Sequence, residues 1–345
     1  MMLDAQSYLE SRLKTCSVVA KGGTFHAPSD SLEDAILSHL LSKRFRKWAV
    51  SPEYLQEIRA QVRYAISQRR PIEPTWFFGG YKLWSLPSAP EVDWAEFFFI
   101  AYVLSYIAPI AAIYEPGVHF IFWTAHPSIM QRQSNIPEAD CLRYRQTFSK
   151  LLEHFQPGLP KNAHFSLRCF DELYPNEKDY SSELELHITE VERAFREDWS
   201  AEQKEKKKAS STLNIQWVGA EDWTTLSPDE KLEKIRLGPI VHDGYCSLSS
   251  VNKALRGPGR LDLSTVPLPS GSIPIGTTAS SVTKFWTGFG VLEHRGDRFV
   301  DRILSPQQLE EVKSLPSEEI PIDLIPLKNF QTVRVYPELR FSNRV

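Results

Sequence analysis

The chain has 345 residues, a formal net charge of -3, 42% hydrophobic residues and 24% charged residues, a balance that excludes a disordered protein and supports a large core. Near-neutral charge supplies no broad attraction for nucleic acid or an anionic membrane. The cysteines, Cys16, Cys141, Cys169 and Cys246, have neither zinc nor redox spacing. The start, "MMLDAQSYLESRLK", lacks the apolar core of a signal peptide, so the expected compartment is the cytoplasm.

In chain order, "SDSLEDAILSHLLSKRFRKWA" predicts a helix capped by Ser31, with Asp34 three residues on. "SPEYLQEIRAQVRYAISQRR" predicts a second amphipathic helix. Residues 1–70 are therefore expected to form a helical region, continuous with an α/β region over 71–345. Residues 97–114, "FFFIAYVLSYIAPIAAIY", run for 18 positions without a formal charge, the lower edge of a membrane-spanning length. Glu96 and Glu115 bracket that run instead of basic residues, Pro109 interrupts it, and no second comparable stretch exists. It predicts a buried helix that turns at "EPG" into a core strand, "VHFIFWT".

"PEADCLRYRQTFSKLLEHF" then predicts a helix, "AHFSLRCF" a strand, "SELELHITEVERAFREDW" a charged helix and "TLNIQWVG" a further strand. The basic "KEKKK" at 204–208 reads as a solvated loop. "SPDEKLEKIRLG" opens another helix, after which β-like "PIV" empties into a polar turn at His242 and Asp243. "GPGR" at 257–260 reads as a flexible turn. The last hundred residues are rich in Gly, Pro, Ser and Thr, with β-like pieces "GSIPIGTT", "KFWTGFGVLEHRGDRFVDRIL" and "QTVRVYPELRF". "HRGDRF" reads as a hairpin turn, not an adhesion signal. The order of elements predicts one large α/β domain with a mixed, mostly parallel central sheet and a β-rich C-terminal part.

No dinucleotide fingerprint, P-loop, HExxH or nucleophile elbow occurs, and the histidines stand alone, so neither a cofactor nor a metal is expected. His119 is expected on a strand surface. His126 follows that strand, where α/β proteins place ligand loops, although a structural role is the plainer reading. Polar residues gather near element ends. Lys82 lies among aromatic residues, with Glu91, Asp93 and Glu96 close behind. Asp93 and Glu96 share a helix face at i,i+3, and the start of a helix dipole alone would favour both. Arg236, His242 and Asp243 surround "PIV", and Lys284 opens the later aromatic-glycine segment. Such cations among hydroxyl-rich turns suit a small phosphorylated or carboxylated substrate better than a polymer.

Five segments, "GGYKLWSLPSAPEVDWAEFFF", "IYEPGVHFIFWT", "IRLGPIVHDG", "GSIPIG" and "TKFWTGFGVLEHRGD", follow one another across residues 70–300. In that order they distantly resemble the isonitrile (isocyanide) synthases that act on amino acids. Three departures stand out: Thr287 follows Trp286 where the family commonly carries histidine, the first core strand ends "TAHPS" in place of an aspartate turn, and His242 comes later than the family's histidine. The resemblance implies an enzyme that joins an amino-acid amine to the carbonyl carbon of ribulose 5-phosphate without a redox cofactor or a required metal. That chemistry needs a phosphate clamp, a proton acceptor and donors beside the enediol oxygens. The resemblance implies catalytic roles for Lys82, Glu96 and His242, and substrate contacts at Asp93, Arg236, Lys284 and Trp286. The expected partners are an amino acid and a phosphorylated sugar, with no nucleic acid or membrane. Another small-molecule transferase or lyase on this scaffold, or a non-catalytic binding protein, are the alternatives. The choice of amino acid and the oligomeric state stay open.

Overall fold

The computed structural model describes residues 4–22, 31–46, 48–77, 90–134, 136–197, 200–203, 225–255, 257–264, 271–276 and 288–339. Three helices come first: α1 (Ala5–Gly22), α2 (Leu32–Leu40) and α3 (Pro52–Ser67). Ser31 caps α2 by accepting the Asp34 N–H, as its spacing predicts. That helix stops earlier than its sequence pattern, because Phe45 turns inward against Tyr102 and Tyr106, with ring centroids 5.5 and 5.2 Å away.

A parallel sheet follows. Its elements are β1 (Glu73–Phe77), α4 (Trp94–Ile113), β2 (Val118–Thr124), α5 (Pro127–Ser134), α6 (Glu138–Phe155) and β3 (Ala163–Cys169). After these come α7 (Glu177–Glu197), α8 (Pro228–Leu255), β4 (Arg260–Ser264) and the two-residue β5 (Ile273–Pro274). The strand order is β3-β2-β1-β4-β5, and each of these neighbouring pairs is parallel. The chain works outward from β1 to β3, then crosses back to β4. Strand order therefore reverses between β1 and β4, the kind of crevice where open α/β sheets bind ligands.

The apolar run is α4, which packs between the sheet and helices α1 and α2. It is long and apolar enough to cross a bilayer, yet 83% of its apolar window is buried inside the protein. Burial on all sides explains why it is hydrophobic all round. The "EPG" turn that ends it depends on Gly117, whose φ is +75° and where a Cβ would lie 1.7 Å from the Asn162 carbonyl oxygen. The Asn162 side chain in turn donates to the carbonyls of Ala111, Tyr114 and Glu115, tying the end of α4 to the start of β3.

Around His242 the structure corrects the expectation. Residues 228–255 form one continuous helix, so "PIV" is not a strand and His242 and Asp243 are not in a turn. Packing decides this. At Gly244, α8 comes so close to α7 that a Cβ would lie 2.7 Å from Ile188 Cγ1 and 2.9 Å from its Cα. A long helix pair outweighs the local preference of three residues. The predicted strand "TLNIQWVG" and the "KEKKK" loop lie outside the described residues.

The C-terminal part is a second sheet, with β6 (Phe289–Arg295), β7 (Arg298–Leu304), a short helix α9 (Pro306–Val312), β8 (Glu318–Pro321) and β9 (Thr332–Tyr336). Its order is β7-β6-β9-β8, with β6 and β9 parallel and the outer pairs antiparallel. The RGD triplet is its hairpin turn: Arg295 pairs with Arg298 across Gly296 and Asp297. The Trp94 indole N–H donates to the Thr332 carbonyl at 2.7 Å and ties this sheet to the start of α4. A largely parallel central sheet with a β-rich C-terminal part is the class the sequence predicts.

Candidate functional site

Alternate residues of a strand face opposite sides of a sheet. On one side of the parallel sheet, Trp76, Phe120, Phe122, Leu261 and Leu263 pack into the hydrophobic core. Trp76 meets Phe99 of α4 at 4.9 Å, and Phe122 meets Phe148 of α6 at 5.2 Å. The register puts a different set on the other side: Glu73 and Thr75 of β1, His119 and Trp123 of β2, Ser166 and Arg168 of β3, and Arg260 and Asp262 of β4. Parallel strands covered on both faces ordinarily read as continuous apolar runs. This face is mostly polar, broken by Trp123 and by buried Ile121, the register partner of both Thr75 and Ser166; Thr75 and Asp262 are buried as well.

Burying such groups is costly unless they are paired, and here they are paired across strands. Glu73 stands 3.2 Å from Arg260 Nε and 3.8 Å from His119 Nδ1. His119 Nε2 lies 2.9 Å from Ser166 Oγ. Thr75 donates to Asp262 at 2.8 Å, and the Ser264 and Ser272 hydroxyls meet at 2.9 Å. Burial works to raise the Glu73 pKa, but the neighbouring His119 imidazole and the charge of Arg260 outweigh it and hold the carboxyl below its usual range. Trp123, opposite Arg168 in register, stacks on Phe170 with centroids 5.4 Å apart and planes 10° apart. The Arg260 guanidinium lies 5.9 Å from the Trp123 ring.

Helix α8 lies over this end of the polar face, where its Tyr245 meets Phe170 at 5.7 Å. His242, one turn earlier on α8, is thereby on the polar side of the sheet. Its Nδ1 is 3.2 Å from Asp243 Oδ1, and its Nε2 is 3.7 Å from Cys246 Sγ. Partial burial disfavours the imidazolium, but hydrogen bonds and charge from Asp243 and Cys246 prevail and push His242 up to about 9.

The two predicted carboxylates sit on the opposite side, at the start of α4, and together form a capping box. Asp93 accepts the Ala95 N–H at 2.7 Å, while Glu96 accepts the Asp93 N–H at 2.8 Å and the Tyr144 hydroxyl at 3.3 Å. Glu96 is fully buried, so its geometry is that of a structural group. Asp93 also borders a cleft of about 760 Å³ between α4 and the second sheet, along with Arg143 and Lys328. Lys82, Lys284 and Trp286 lie outside the described residues, as does the side chain of Arg236. So do 78–89 and 265–270, the segments that leave β1 and β4 at the switch point. His126 bonds Ser128 Oγ at 2.8 Å and packs on Tyr180, the structural role expected of it.

Sequence reasoning missed Glu73, Thr75, Ser166, Arg168, Arg260 and Asp262. A signal was present: "HFSLRC" and "RLDLS" alternate polar and apolar residues, which a parallel strand covered by apolar layers on both faces does not do. Among the described residues, no three of His, Cys, Asp and Glu converge as metal donors.

Fold and site together define an open α/β protein with a polar sheet face beneath a crossover helix. No protein-family model and no curated protein matches the sequence. Among solved structures, the chain is similar to the crystal structure of the PvcA protein from Pseudomonas aeruginosa, with a TM-score of 0.58 and 17% identity over 89% of this chain and 100% of that one. At this identity the likeness is one of fold. It stands beside the distant resemblance to the isonitrile synthases that the ordered segments carry.

Proposed function

We propose that the chain is an isonitrile synthase-like enzyme of the cytoplasm. It joins the amine of an amino acid to the carbonyl carbon of ribulose 5-phosphate, and that carbon becomes the isonitrile carbon after fragmentation. The observation that carries this reading is the agreement of two likenesses: the order of five sequence segments, and a fold shared with PvcA over 89% of the chain. The polar sheet face supports it, since a small, oxygen-rich substrate needs buried donors and acceptors.

In this reading Lys82 and His242 act in catalysis, Asp93, Arg236, Lys284 and Trp286 contact the substrate, and Glu96 holds Asp93 through the α4 cap. As the family resemblance implies, the reaction needs no redox cofactor or metal. The test incubates purified protein with ribulose 5-phosphate and pooled amino acids, following each amino acid and any isonitrile by mass spectrometry. A product with one added carbon is expected. Amino-acid loss without an isonitrile would favour another transferase or lyase on the same scaffold, and no turnover of any amino acid would count against the enzyme reading.

A further inference from the structure

The polar sheet face contains a unit that the proposed reaction does not use. His119 stands between Ser166, 2.9 Å from its Nε2, and the Glu73 carboxylate, 3.8 Å from its Nδ1. Three neighbouring strands each supply one member. A carboxylate on the Nδ1 side favours the tautomer whose Nε2 is an acceptor, which is the atom facing the serine. Glu73 is itself steadied by Arg260 at 3.2 Å.

Next along the same face, Trp123 lies opposite Arg168. The Trp123 indole N–H is buried and has no acceptor among the described residues. The half-buried Arg168 guanidinium makes no ion pair or hydrogen bond among them either. A buried donor left unpaired is costly, so such an atom marks a place where a ligand supplies the partner. Side chains two residues apart on one strand stand roughly 7 Å apart, close enough for one small molecule to meet Arg168 and Ser166 together.

The geometry points to a second, nucleophilic site, in which His119 and Glu73 activate the Ser166 hydroxyl and Arg168 and Trp123 hold an anionic oxygen of an acyl or phosphoryl group. Ser166 Oγ forms the bond to the carbonyl carbon or phosphorus, and its proton passes to His119 Nε2. The imidazolium then returns that proton to the departing group, and water later cleaves the serine ester. Glu73 is a positioning residue, acting through the imidazole.

A fluorophosphonate tests this on the full chain, because its P–F bond breaks as the serine Oγ–P bond forms. Peptide mass spectrometry should find the adduct on Ser166 and none in Ser166→Ala. The labelling rate should fall at least a hundredfold in His119→Gln and at least tenfold in Arg168→Met, with thermal midpoints near that of the unaltered protein. Glu73→Gln should slow labelling at least tenfold and Glu73→Asp should restore most of the rate, which a merely structural carboxylate would not do. No adduct at Ser166, or an unchanged rate in His119→Gln, would overturn the site. The outcome is independent of whether an isonitrile is formed.

Discussion

Glu96 and His242 show how differently a charged side chain behaves when its partners differ. Glu96 is fully buried and committed to a backbone N–H and a tyrosine hydroxyl. It also adds to the burial that raises the Tyr144 pKa. His242 is 39% exposed at its side chain, with a carboxylate and a thiol as neighbours. Its value, raised from 6.5 to about 9, means that the imidazolium persists through neutral pH. The sign follows from linkage: a raised folded value stabilises fully below pH 6.5, and that contribution is lost as pH rises through about 9. NMR titration should give His242 a midpoint near 9, and Asp243→Asn should lower it. An unchanged midpoint in that variant would show that Asp243 is not the cause. Sequence alone flagged both residues as polar groups at element ends; it did not show that Tyr144, 48 positions away, closes over Glu96, or that His242 lies within a continuous helix.

Elements with strong local signals were legible. The Ser31 cap, the buried apolar helix and the RGD hairpin each follow from spacing within a few residues. Others were not, for identifiable reasons. β1 and β4 are five residues each and alternate in polarity, too short to stand out against loop. "PIV" has β-like composition, but the contact between Gly244 and Ile188 keeps it in a helix. Gly244→Val should therefore force α8 away from α7 and lower stability by about 1–3 kcal/mol, read as a lower denaturation midpoint. A variant as stable as the parent would mean that the close approach does not hold the helix in place.

The whole molecule is held together by contacts between distant segments. Asp301 of β7 accepts the Tyr8 hydroxyl at 2.6 Å and pairs with Arg12 at 2.8 Å, fastening α1 to the second sheet. Removing one partner of a buried ion pair leaves the other uncompensated. Asp301→Ala should cost about 3–5 kcal/mol in chemical denaturation, because Arg12 and Tyr8 lose their acceptor together. A loss under about 1 kcal/mol would place this pair among the weak surface bridges.

By itself the sequence determined the helix starts, the core helix, the hairpin and the α/β class, because caps, turns and hydrophobic periods are set by residues a few positions apart. Only the tertiary structure decided that Glu73, His119, Ser166 and Arg260 share one face. That juxtaposition depends on the pairing register of four strands drawn from residues 73 to 264, and a shift of one residue in any of them would turn its polar set into the core.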